Sequence, residues 1–364
     1  MSIPMVDLKQ QYQNLRKEID QAVNEALINA HYILGPNVQA FEQEAADYLG
    51  VKHAIGVASG TDALHLALLA CDIKPGDEII TPAFTFIATL EAILYCGATP
   101  VFIDIDPDNF NLDLMQLESL INKKTKAIIP VHLYGNPVNM IELLHIADKH
   151  HLQVIEDAAQ SFGARWEQRQ TGSFASCGCY SFYPSKNLGA YGDGGLLVTN
   201  SDTIYEDLIV LRNHGSYTRY HHEKLGYNSR LDEIQAAILR VKLRYIDQFN
   251  QQRHAAAQYY SQLLHSLVKI PQEDPRGQHI YHQYTMLHPK RDQIQTALHK
   301  ANIASAIYYP IPLHRQALLG NKYHAIHLPN SDIASLQCLS LPIFPELTHE
   351  QIETICTTIK QAIS

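Results

Sequence analysis

The sequence predicts an α/β protein in two units. Residues 1–245 form a large unit with a mostly parallel central sheet flanked by helices, and residues 246–364 a smaller α+β unit. Short apolar strands alternate with helical stretches from Gly35 to Glu156, the signature of parallel strands covered on both faces. After Glu156 two strand patterns lie close together, and beyond them the patterning becomes mixed. The chain has 364 residues, 46% of them hydrophobic, enough for two cores rather than one.

The elements follow in order. Leu8, Tyr12, Leu15, Ile19, Val23 and Leu27 recur at helical spacing, so an amphipathic helix opens the chain and ends before the turn "GPN" at Gly35. "HAIGVAS" reads as a strand and "TDALHLALLA" as a helix, "DEIITPA" as a strand and "FTFIATLEAILYC" as a helix. "TPVFIDI" with "DLMQLESLI", "TKAIIPVHL" with "MIELLHIADKH", and then "LQVIEDA" continue the alternation. "CGCYSFY" and "GGLLVTN" are the two adjacent strands. One long helical pattern from Leu231 to about Leu264 leads into the second unit, which holds the proline-rich loop "YYPIPLHRQ".

The totals exclude several classes. A net charge of -9 with interspersed signs argues against a broad nucleic-acid-binding face. Met1–Gln10 lacks a secretory pattern, and no apolar run approaches the roughly 20 residues of a membrane span, so the expected location is the cytoplasm. The cysteines are scattered, and Cys177 and Cys179 point to one face of a strand, which predicts reduced thiols and no metal site.

In open α/β sheets, ligands sit beyond the carboxyl ends of the strands. Four such ends stand out. In "ASGTDAL", Ser59, Gly60 and Thr61 open a helix, and they read either as an anion cup or as a plain cap by Thr61 or Asp62. In "VIEDAAQSFG", Asp157 could hold a protonated ring nitrogen and Gln160 a neighbouring substituent, or Asp157 could simply cap a helix. In "SFYPSKNLGAYGDGG", Ser181 could hold an anion while Lys186 projects into the same cavity, where low dielectric would make it a nucleophile able to form an imine. A solvated lysine in a turn is the plainer alternative. In "TPAFTFIAT", Phe84 or Phe86 could cover a flat ring or lie in the core. Together an anion cup, a carboxylate, an amine and an aromatic lid describe a site for pyridoxal phosphate.

With "SGTDALHLAL", "PAFTFIAT", "PVHLYG", "IEDAAQSFG", "SFYPSKNLGAYGDGG", "GYNSRLDEIQAAIL" and "YYPIPLH", the chain resembles the DegT/DnrJ/StrS family of nucleotide-sugar aminotransferases, on the aspartate-aminotransferase (type I) fold. The resemblance covers nearly the whole chain. It implies that Lys186 carries the cofactor as an imine and shuttles a proton, that Asp157 pairs with the pyridinium nitrogen, and that Gln160 bonds the phenolic oxygen. It further implies that Gly60, Thr61 and Ser181 hold the phosphate and that Phe86 stacks on the ring. Asn228 would reach the cofactor of a neighbouring subunit in a homodimer with shared sites, and His314 would lie near the sugar nucleotide. Tyr183, Arg219 and Arg230 complete the expected substrate-binding set. The implied reaction is a ping-pong transamination through pyridoxamine phosphate: glutamate donates, 2-oxoglutarate leaves, and a nucleotide-linked keto sugar with its keto group at carbon 3 or 4 becomes an amino sugar.

Cations for a diphosphate are available in "LRNHGSYTRYHHEKLGYNSR", which supplies Arg212, His214, Arg219, His221, His222, Lys224 and Arg230; the alternative is a loop whose charges face water. Competing readings are a sugar dehydratase, an amino-acid lyase, or a regulator that holds the cofactor without turnover. Lys186 counts against the first, since dehydrating relatives carry histidine there. The sugar-type motifs count against the second. The third would carry an appended sensor or DNA-binding segment, whereas this chain opens on the fold's first helix.

Overall fold

The computed structural model describes residues 2–363. Helix α1 (Leu8–Asn29) starts where Asp7 Oδ1 accepts from Gln10 N–H at 2.9 Å, and α2 (Pro36–Leu49) starts on a proline and stops at Gly50, whose φ of 68° suits glycine. A seven-stranded sheet follows, built from β1 (His53–Val57), β2 (Glu78–Pro82), β3 (Thr99–Ile103), β4 (Thr125–Ile128), β5 (Gln153–Asp157), β6 (Cys177–Ser181) and β7 (Gly195–Thr199). Their spatial order is β1-β7-β6-β5-β4-β2-β3. All neighbours are parallel except at β7, which runs antiparallel to both β1 and β6. The two adjacent strands expected after Glu156 are therefore an antiparallel pair, inserted in the sheet beside β1.

Helices α3 (Gly60–Ala70), α4 (Ile87–Tyr95), α5 (Leu114–Leu120), α6 (Met140–Lys149) and α7 (Asp202–Leu211) complete the crossovers. One face of the sheet is packed by Leu64, Leu66, Ile93 and Leu208 with the thiols of Cys177 and Cys179, and the other by residues that include Phe41, Phe162, Tyr180 and Leu239. Each such apolar side chain contributes about 1.5–3 kcal/mol.

Two expectations are corrected here. "FTF" is not helical: α4 begins only at Ile87, because Phe86 is extended (φ -70°, ψ 149°) and acts as its cap residue. The single helix expected from Leu231 to Leu264 is two, α8 (Glu233–Leu243) and α9 (Ile246–Leu264), broken at Arg244–Tyr245. The break lets each half face a different partner: α8 packs on α1 and α2, while α9 packs on the C-terminal helix.

The second core gathers α9 with β8 (Tyr284–Leu287), α10 (Arg291–Lys300), β9 (Cys338–Leu341) and α12 (His349–Ile363), the last after α11 (Pro329–Gln337). α12 buries Ile352, Ile355, Cys356 and Ile359, one stripe at helical spacing. Ile3 joins this core through a parallel bridge to Ile303. Among the described residues no helix is long and apolar enough to cross a membrane, and all six cysteines are free.

Candidate active site

Beyond the carboxyl ends of β1, β2, β5 and β6 lies a cavity of about 470 Å³. Gly60, Thr61, Phe86, Asp157, Gln160, Ser181, Tyr183 and Lys186 all line it. Ser181 and Asp157 end their strands and Gly60 opens the helix after β1, so sheet geometry alone converges residues far apart in sequence.

At one end is the start of α3. Its cap is Ser59, whose Oγ accepts from Asp62 N–H at 3.1 Å, rather than Thr61 or Asp62 as one reading of the sequence had it. As the first residues of the helix, Gly60 and Thr61 carry N–H groups without intrahelical partners, a seat for an anion. The seat is closely built: a Cβ on Gly60 would lie 2.7 Å from Ser181 Cβ, and one on Gly195 would lie 2.8 Å from Gly60 N. Gly195→Ala should therefore push α3 off β7 and cost about 1–3 kcal/mol by overpacking, read as a lower urea midpoint.

Across the cavity Asp157 is buried, with Oδ1 accepting from Ala159 N–H at 3.2 Å and Oδ2 from the Thr89 hydroxyl at 2.8 Å. No helix follows it, so the helix-cap alternative falls. Burial pushes its carboxyl up, while the Thr89 hydroxyl, the Ala159 N–H and the Lys186 amine pull it down. Lys186 sits half-buried in the wall, and among the described residues its Nζ has no hydrogen-bond or ion-pair partner. Burial lowers its amine to about 8, against the opposing pull of Asp157. Phe86 is 52% exposed and lines the cavity, whereas Phe84 is fully buried. Gln160 Oε1 accepts from Tyr134 N–H at 2.7 Å and its Nε2 donates to Tyr309 Oη at 3.0 Å, which fixes the amide's orientation.

The chain has counterparts among known proteins. The profile of the DegT/DnrJ/EryC1/StrS aminotransferase family matches residues 13–360. The chain belongs to that family. A UDP-N-acetyl-3-dehydro-α-D-glucosamine 3-aminotransferase of Acidithiobacillus ferrooxidans is 48% identical, with 100% of this chain and 98% of that one covered. A protein of Geobacillus stearothermophilus named a pleiotropic regulatory protein is 46% identical over 99% of this chain and 98% of its own. Among solved structures, S. venezuelae DesV in complex with a ketimine intermediate superposes with a TM-score of 0.97 at 40% identity, covering 100% of this chain and 99% of the other.

In this aminotransferase four expected residues lie off the cavity. His314 is fully buried in a short 3-10 turn (Leu313–Arg315), beside Phe102 and 3.4 Å from Asp332, so within one chain it is packed inside rather than presented to a ligand. Asn228 pairs with Asn213 in an isolated bridge, and Arg230 donates to Asn213 Oδ1 at 3.1 Å. Arg219 lies over the ring of Tyr220, next to a small hairpin (Ser216–Thr218 with His221–His222) whose side chains are largely exposed. Arg212 is not a free cation: it is buried, 2.5 Å from Glu42 and bonded to Gly56 O, and so ties α2 to β1. Lys224 pairs with Asp207 at 2.5 Å.

Reasoning from the sequence missed several residues that line this cavity. Tyr308, Tyr309, His282 and Gln283 line the cavity from loops whose patterning carries no strand-end signal, and Tyr134, directly after the strand pattern "TKAIIPVHL", lines it from a 3-10 turn. His132 was also missed. Its Nδ1 accepts from Val138 N–H at 3.0 Å, so Nε2 carries the hydrogen donated to Glu156, which also accepts from the N–H groups of Gly172, Phe174 and Ala175. This buried knot braces β5 directly before Asp157. Thr85 and Thr89, four apart in "TFIAT", were the one legible clue to Asp157's partner.

Proposed function

We propose that this chain is a pyridoxal-phosphate-dependent transaminase that moves an amino group from glutamate to a nucleotide-linked keto sugar. The observation that carries the reading is an unpartnered amine, lowered by burial, sharing one cavity with an enclosed carboxylate and an anion seat. The cofactor fits these groups. The N–H groups of Gly60 and Thr61 with Ser181 hold its phosphate, Phe86 covers its ring, Asp157 faces its ring nitrogen and Gln160 its phenolic oxygen. When bound it supplies an electron sink for the pair left behind as a C–H bond beside nitrogen breaks. Lys186 Nζ would take that proton and return it to the carbon on the other side of the same nitrogen, acting as base and then acid, which an amine lowered to about 8 suits. Asp157, kept from water, stays paired with positive charge on the ring.

The reading includes a homodimer in the cytoplasm with sites shared between subunits. Tyr217, Tyr220 and Leu225 are exposed around the hairpin, as are Ile28 and Ile33 near the end of α1, apolar side chains that a partner subunit would cover. Asn228, Arg219 and Arg230, which stand away from their own cavity, then serve the partner's cofactor and the sugar nucleotide, with Tyr183 placed near the sugar. Residues 1–245 act as the cofactor-holding unit and 246–364 as the smaller unit that closes the cavity's other side.

The 48%-identical relative acts at carbon 3, which favours a 3-keto sugar over a 4-keto one. Purified protein incubated with glutamate and a panel of UDP- and dTDP-linked 3-keto and 4-keto sugars should release 2-oxoglutarate, fastest with a 3-keto member. The name of the 46%-identical relative favours a second reading, a regulator that holds cofactor without turnover. Bound cofactor with no transfer to any sugar would select it.

A further inference from the structure

The two oxygens of Asp157 have separate donors, and only one of them is a side chain. Thr89 Oγ1 lies 2.8 Å from Asp157 Oδ2, and Thr85 Oγ1 lies 3.4 Å from Thr89 Oγ1. An ionised carboxylate only accepts, so Thr89 must give its single hydroxyl hydrogen to Asp157. Its lone pairs are then left to accept from Thr85, and the relay has one direction. Thr89 is 0% and Thr85 2% exposed, so water does not compete for either hydroxyl. Both threonines flank Phe86, so one short segment sets both the aromatic cover and the carboxylate.

We propose that Thr89, oriented by Thr85, is a positioning residue that fixes the aim and the ionised form of Asp157 toward the cofactor's ring nitrogen. The inference rests on the role of Asp157 proposed above. Burial drives the Asp157 carboxyl up, and the Thr89 hydrogen bond is the strongest influence drawing it back. The other titratable groups that face it are Lys186, His132, Cys179 and Tyr309, and none of them hydrogen-bonds its side chain. Without Thr89, one carboxylate oxygen would be left buried and unpaired, and the neutral acid would gain at the expense of the form that holds a cation.

The test uses the full chain and titrates pyridoxal phosphate into apoprotein by absorbance, then follows the pH midpoint of the bound cofactor's visible band. Thr89→Val, which keeps the shape, is expected to weaken cofactor binding by about 10- to 100-fold and to move the midpoint, while Thr89→Ser stays within about twofold of the parent. Thr85→Val leaves Thr89 in place and should cost about two- to fivefold, so it reads the relay even where Thr89→Val folds poorly. Asp157→Asn is the control for the underlying role. If Asp157→Asn binds and titrates as the parent does, the role given to Asp157 is wrong. If Asp157→Asn is impaired and Thr89→Val is not, Thr89 plays no part. A Thr89→Ser variant as weak as Thr89→Val would overturn the hydrogen bond in favour of simple packing.

Discussion

Lys186→Ala is expected to lower transamination by about 10⁴-fold or more, because the proposed mechanism makes the amine both the attachment point of the cofactor and the group that moves the proton. Borohydride treatment of the parent protein should leave one reduced cofactor on the peptide bearing Lys186, a gain of the cofactor's mass less one oxygen because imine formation loses water and reduction adds two hydrogens, and should leave none in the variant. Lys186→Arg keeps the positive charge but offers no neutral amine, so it should be as inactive as alanine. A Lys186→Arg enzyme with more than a few per cent of parental turnover would remove lysine from the mechanism. The same residue predicts a pH dependence. With its amine lowered to about 8 by burial, roughly 9% is neutral at pH 7, some 300-fold more than for an ordinary lysine. Only the neutral amine attacks a carbonyl, so uptake of cofactor by apoprotein should speed up as pH rises from 6 and level off above about 8. A rate still climbing tenfold per unit at pH 9 would mean that the site does not shelter the amine.

Asp157→Asn is expected to cost about 10²- to 10³-fold in turnover while leaving the cavity's shape intact, since the amide has the same size and no charge. The physical reason lies in the enclosure. A carboxylate away from water interacts strongly with a cation, and its loss leaves the ring nitrogen without a reason to stay protonated. Single-turnover kinetics with glutamate should show the proton-transfer step slowed and substrate affinity little changed. A turnover within about fivefold of the parent would show that the ring does not need this carboxylate. If Asp157 and Lys186 serve one step, as proposed, the double variant should be no worse than Lys186→Ala alone.

Most of the sheet could be read from local pattern, because its strands are short apolar runs and most of them end where a crossover helix begins. The strand-end motifs were equally legible: Asp157, Ser181, Gly60 and Lys186 were named from their places relative to predicted strands, and the cavity collects all four. What misled was local chemistry judged without neighbours. Phe86 ends an extended segment rather than starting a helix, and Arg212 is neutralised by Glu42, 170 positions away, which no local window reveals. His314 was carried over by motif, yet in this chain its turn folds inward against Phe102.

By itself the sequence determined the alternation of elements, and therefore the edge of the sheet at which chemistry would gather, because apolar periodicity and turn residues act over only a few positions. Only the tertiary structure decided which side chains meet there: that Thr89 donates to Asp157, that Gln160 is locked by Tyr134 and Tyr309, and that Lys186 stands unpaired. Those outcomes depend on contacts between residues distant in the chain and on the exclusion of water from the space between them, and both properties exist only once the chain is packed.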